Sequence, residues 1–182
     1  MIKNLNFGLL TAIVLLLFCQ NGLAQTPTSA PAPAPAISTK YDNAQIEKMI
    51  QSFRMEYSRD IMPPELLHQK FMQDFPENYD VEWETAANLY EVEFEIRGAD
   101  YNAYYDGQAN LIMYKYDIYM SDLPDLITNK VKSDYPDYRF DDMEKILRGT
   151  EVLYKIELEK GDYDVKLLLK DDGTIINKMV DF

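Results

Sequence analysis

From Leu89 onward the chain alternates apolar and charged residues: Tyr90, Val92, Phe94 and Ile96 fall on one side, Glu91, Glu93, Glu95 and Arg97 on the other. A period of two is that of a β-strand with one face buried and one in water. Tyr154, Ile156 and Leu158 repeat the apolar set. Carried along the chain, the pattern predicts antiparallel strands at 79–84, 89–97, 101–106 and 111–118, then at 138–146, 152–159, 163–169 and 174–181. Gly98, Gly107, Gly149, Gly161 and Gly173 all sit between such runs, which marks hairpin turns rather than a phosphate-cradling loop.

Three stretches have helical spacing instead. Residues 42–59 place Ile46, Met49, Ile50, Phe53 and Tyr57 three to four apart behind Asp42, an N-cap residue type, and so predict an amphipathic helix. "PELLHQKFMQDFP" (64–76) and "PDLITNKVKSDYP" (124–136) match at equal spacing, with Leu66, Leu67, Phe71 and Phe75 against Leu126, Ile127, Val131 and Tyr135. Each opens and closes on proline, which is tolerated in a first turn and ends a helix when it follows one. Immediately downstream, "FPENYDVEWE" at 75–84 is echoed sixty positions on by "YPDYRFDDME" at 135–144. The fold predicted is α+β: two tandem helix-plus-four-stranded antiparallel sheet repeats, about 61–118 and 121–182, behind an extra N-terminal helix.

The N-terminus follows other rules. Lys3, the apolar run at 9–18 and Gly22-Leu23-Ala24 read as a secretory signal peptide over 1–24. That run is too short to span a bilayer, which takes about 20 residues, so a periplasmic or secreted protein without membrane insertion is expected. Cys19 falls inside the signal, and the bulky Phe18 before it fits lipid attachment poorly. Cleavage then leaves no cysteine, and stability must come from packing. Residues 25–40 form a Pro/Ala-rich linker expected to stay extended and solvated, leaving 41–182 as one domain.

With 31 acidic residues against 18 basic ones, a net charge of −13 argues against nucleic acid and anionic membranes as partners. It suits either an electropositive partner or simple solubility. Catalytic chemistry finds little support. There is no Gly-x-Ser-x-Gly elbow, and His68 is the single histidine, too few for a zinc set once Cys19 is gone. No cofactor is expected. Asp141-Asp142 and Asp171-Asp172 could attract calcium but lack EF-hand order, and Asp171-Asp172-Gly173 reads more simply as a turn. Glu91, Glu93 and Glu95, with Glu82 and Glu84 beside them, offer paired carboxylates on a face whose polar alternation makes it wet, whereas acid catalysis needs a dry carboxyl.

Several of these pieces occur together: a helix closing in Phe75-Pro76, then Asp80-Val81-Glu82-Trp83-Glu84, a Tyr-x-Val-x-Phe strand at 90–94, a glycine hairpin, an aromatic-Asp turn, and Asp122-Leu123-Pro124 opening a second round. The combination resembles the PepSY-like, β-lactamase-inhibitor-like family of exported bacterial proteins over about 61–182. The resemblance implies two tandem helix-plus-sheet repeats, residence outside the cytoplasm and no recognised catalytic centre. The disulfides that staple the family's namesake inhibitors have no counterpart here, and no inhibitory loop maps onto the chain.

Surface chemistry then carries the functional expectation. Eight of the 14 tyrosines fall between 79 and 119, and Tyr104 alternates onto the side of Asn102 and Asp106, facing Glu91, Glu93 and Glu95 with Leu111 and Met113 nearby. The reading is a non-enzymatic binding module whose uncovered sheet face, through Glu91, Glu93, Glu95, Tyr104 and Met113, engages a protein or basic peptide, an inhibitor-like role being what the family resemblance implies. Tyrosine as ordinary strand filler is the bland alternative. A hydrolase using sheet-face carboxylates and a calcium-dependent structural protein are the alternatives from other classes.

Overall fold

A computed structural model describes residues 34–181; the expected signal at 1–24, Cys19 and the first part of the Pro/Ala tract lie outside the described residues. Nine strands, β1 (Arg59–Asp60), β2 (Tyr79–Ala86), β3 (Leu89–Ile96), β4 (Ala99–Asp106), β5 (Leu111–Asp117), β6 (Arg139–Arg148), β7 (Glu151–Lys160), β8 (Tyr163–Lys170) and β9 (Ile175–Asp181), lie in sequence order. All pair antiparallel. Helices α1 (Asn43–Met55), α2 (Glu65–Asp74) and α3 (Asp125–Asp134) complete an α+β fold. The sheet is continuous across its middle, because β5 bonds to β6 in the register Met113↔Arg148 to Asp117↔Glu144.

Helices α2 and α3 share one face of the sheet. Pro64 and Pro124 stand at their N-caps with φ of −54° each, and Phe75 and Tyr135 close them with backbone N–H bonds of 2.8 Å to Phe71 and Val131. The prolines that follow keep those closing residues out of helical backbone and stop the helices there. Under α2 lie Trp83, Val92, Phe94, Tyr105 and Tyr114, with Phe71 meeting Phe94 and Trp83 edge-on. Under α3 lie Tyr154, Ile156, Leu158, Val165, Leu167 and Leu169. Leu66 and Leu126, expected on the buried stripes, are instead exposed, one position off the line through Leu67–Phe71 and Ile127–Val131.

The opposite face carries α1. Asp42 caps it through a capping box with Gln45, and Ile46, Ile50 and Phe53 bury against Ala86, Leu89, Tyr104, Ile112 and Met113. The helix stops at Met55 because Glu56 turns extended, so Tyr57 projects into solvent rather than closing the apolar stripe. The arm before α1 is docked rather than solvated. Ile37 packs on the α2 cluster, Ser38 N–H donates to Leu111 O at 2.7 Å, and Lys40 and Tyr41 reach Asp106 at 2.7 and 2.9 Å. Burial pulls the Asp106 carboxyl up. The donors from Lys40, Asn110 and Gln108 outweigh it and hold the group well below the usual carboxylate range.

Candidate functional site

The α1-bearing face is built by strand parity. Cross-strand registers place Glu82 opposite Glu93, Glu93 opposite Asn102, Glu95 opposite Asp100 and Asn102 opposite Lys115. Four strands thus deliver carboxylates to one side, away from α2. A bulge in β2 between Tyr79 and Glu82, with Asp80 at φ 54°, adds one residue and keeps Glu82 on this side.

The structure divides the five expected contact residues. Tyr104 and Met113 are 3% and 4% exposed beneath α1, and Glu91 is 8% exposed beside them. The expectation of an uncovered face fails for these three. The physical reason is that apolar residues on a polar strand face, Leu89, Tyr104, Ile112 and Met113, are the seat of the chain's own helix. Glu93 is open to solvent and Glu95 is half-buried, accepting a hydrogen bond from Tyr79 Oη at 2.6 Å.

Glu91 is held by two donors: Tyr104 Oη–H and Asn102 Nδ2, the latter at 3.0 Å. The same amide donates to Glu93 Oε1 at 2.7 Å. Burial pushes the Glu91 carboxyl up, only partly offset by those donors, and pushes the Tyr104 phenol far above its ordinary range, with the Glu91 charge adding to the rise.

Beyond α1 the face opens into a shallow concavity of about 450 Å³ whose rim and floor include Asp80, Glu82, Glu93, Glu95, Asp100 and Asp117, with Lys115 the one cation. None of those six carboxylates has an ion-pair partner within 4.0 Å among the described residues. Asp117 records the crowding: burial first, then repulsion from Asp142, Glu144 and Asp100, raises its carboxyl above the ordinary range. Sequence reasoning found Glu93 and Glu95 but missed Asp100 and Asp117, which face the same way at the ends of β4 and β5.

Three of the four carboxylates named for calcium are taken up by neighbours: Asp141 pairs with Arg139 at 3.1 Å, Asp142 with Lys155 at 3.7 Å, and Asp172 accepts from Thr174 N–H at 2.9 Å within its own turn. No group of three or more potential metal ligands occurs among the described residues. Nor is any described helix long and apolar enough to cross a membrane.

A family model described as "Putative beta-lactamase-inhibitor-like, PepSY-like" matches residues 88–177. That segment is PepSY-like. It takes in β3 to β8 entire and begins inside the β2–β3 turn. Solved structures share the fold around it. A DUF2874 family protein from Bacteroides uniformis aligns at 18% identity and TM-score 0.59, over 65% of this chain and 90% of its own. A BLIP-like protein from Bacteroides fragilis aligns at 18% identity and TM-score 0.57, over 70% and 90%. A third, from Bacteroides eggerthii and described as a "putative periplasmic" protein, aligns at 14% identity and TM-score 0.61, over 66% and 90%. At such identities the likeness is one of fold. No curated protein matches the chain.

Proposed function

We propose that this PepSY-like protein is an exported, non-enzymatic binding module that receives a protein or basic peptide on the acidic concavity beside α1. The observation that carries the reading is the cluster of six carboxylates without ion-pair partners on a solvated sheet face. A cationic segment relieves their mutual repulsion. Glu93 and Glu95 keep their place in this reading, joined by Glu82, Asp100 and Asp117. The BLIP-like neighbour makes an enzyme one class of partner to consider. Residence outside the cytoplasm accords with the signal-like N-terminus and with the periplasmic description of one neighbour.

The chain is also read as one helix-plus-sheet unit used twice, with α1 added in front. Matching caps on α2 and α3 support this, as do bulges at matching places, Tyr79/Glu82 with Phe140/Met143 and Tyr104/Tyr105 with Leu168/Leu169.

One observation favours the hydrolase alternative: Asn102 draws Glu91 and Glu93 together, and Glu91 is raised. Glu91 is nevertheless sealed under α1 with its oxygen already accepting two hydrogen bonds, so no substrate reaches it while α1 is seated.

Calorimetric titration with a lysine-rich peptide tests the binding reading. Glu93→Lys/Glu95→Lys should weaken association about tenfold or more and flatten its salt dependence, with melting unchanged. Equal binding by the folded variant removes the concavity from consideration.

A further inference from the structure

The two edges of the sheet are treated differently. On one side β2 is shielded: β1 pairs with it at Arg59↔Thr85 and Asp60↔Glu84, Ile61 N–H donates to Trp83 O at 3.0 Å, and the bulge at Asp80 twists the remainder away. On the other side β9 is the last strand in the order, seven residues long, free of proline and glycine. Its outer row of backbone N–H and C=O groups has no strand to meet among the described residues. Ile176, Met179 and Val180 are all exposed, Met179 to 55%. Lysine often guards such an edge, but the ammonium of Lys178 is drawn 5.0 Å from the Tyr135 ring at the end of α3.

We propose that β9 is a self-association edge, pairing antiparallel with β9 of a second copy to join two nine-stranded sheets across a twofold axis. Such an axis runs perpendicular to the sheet and keeps each face continuous, so only residues on the same face stand opposite one another. Centred on Met179, the register sets Met179 against the partner's Met179 and the stem of Lys178 against the partner's Val180. Centred on Lys178, it would oppose two ammonium groups, which is unfavourable. The occupant is therefore a copy whose apolar positions meet in one register while its ammonium groups stay apart. A single strand pair buries less than the roughly 1,200–2,000 Å² of a standard interface, so the dimer is weak. Each copy carries a net charge of −13, so added salt strengthens it. Binding at the acidic concavity depends on salt with the opposite sign, and the two associations are separable on that basis.

Sedimentation of the full chain from about 10 µM to about 1 mM tests this, and a monomer–dimer equilibrium that tightens on raising NaCl to about 0.5 M is the expected result. Ile176→Lys/Met179→Lys should weaken the dimer at least about tenfold without changing the melting transition. In a Cys19→Ser background, Met179→Cys should form an intermolecular disulfide on oxidation while Val180→Cys, opposite Lys178, should not. A monomer at every concentration and salt, a dimer indifferent to the lysines, or equal cross-linking at 179 and 180 overturns the proposal. So does a monomer whose β9 accepts a strand only from an unrelated protein.

Discussion

The α1-bearing face offers two regions made of the same residue types and put to different ends. Across β5 to β8 the charges form a ladder: Lys115 meets Glu144 at 2.9 Å, Glu144 meets Lys155 at 3.6 Å, Lys155 meets Glu157 at 2.7 Å, and Glu157 meets Lys166 at 3.1 Å. Across β2 to β4 the corresponding positions hold Glu82, Glu93, Glu95 and Asp100, and no cation stands between them. Charge density on a strand face therefore says little about binding; whether neighbours neutralise one another says more. The ladder has satisfied itself, and the acidic floor has not.

Substitutions can break or sharpen that contrast. The largest effect belongs to the helix that separates the regions from the apolar seat. Phe53→Ala removes the ring packed edge-on at 5.7 Å to Tyr104 and should cost about 3–5 kcal/mol in denaturant unfolding, exposing Tyr104 to quenchers. Glu144→Gln strips the ladder of its most buried carboxylate and leaves Lys115 and Lys155 under-paired. A loss of about 1–3 kcal/mol is expected, between the values for exposed and fully buried pairs.

Glu91→Gln tests the boundary between the regions and has the opposite sign. The native carboxyl is raised, so as pH climbs past the unfolded value of about 4.5 the unfolded chain ionises first and stability falls until the folded group follows. The amide keeps an acceptor for Tyr104 and Asn102 but carries no charge. The variant should gain on the order of 1 kcal/mol at pH 7 and nothing below pH of about 4, as read from melting curves against pH. The smallest effect is at Glu93→Gln, on the open floor: less than about 0.5 kcal/mol in either direction by the same melts, against the clear loss at Glu144. Equal losses at the two sites would erase the distinction between ladder and floor.

How far these regions were legible beforehand varies by residue. The strand from Leu89 to Ile96 follows from strict alternation, and Val92 and Phe94 were readable as core because nothing local competes with a period of two over that length. Glu93 and Glu95 were readable as polar-face residues for the same reason. Tyr104 and Met113 were placed on the correct face but with the wrong neighbour. An apolar side chain among acids signals a covering surface without saying whose surface it is, and here α1 of the same chain supplies it. Asp100 and Asp117 were passed over because they sit at strand ends, where alternation gives no warning that register will carry them beside Glu95 and Glu144.

Periodicity, proline punctuation and glycine spacing were enough to set the three helices, the eight longer strands and their approximate ends, since these depend on contacts within a few positions of the chain; β1 and the bulge that moves Leu111 to the α2 face were not readable that way. Which helix covers which face, how β5 meets β6 in one sheet, and which carboxylates find a lysine depend on residues tens of positions apart meeting through packing and strand register. Burial and charge pairing are properties of those meetings, so the seat of α1, the ladder and the unneutralised acidic floor become visible only in three dimensions.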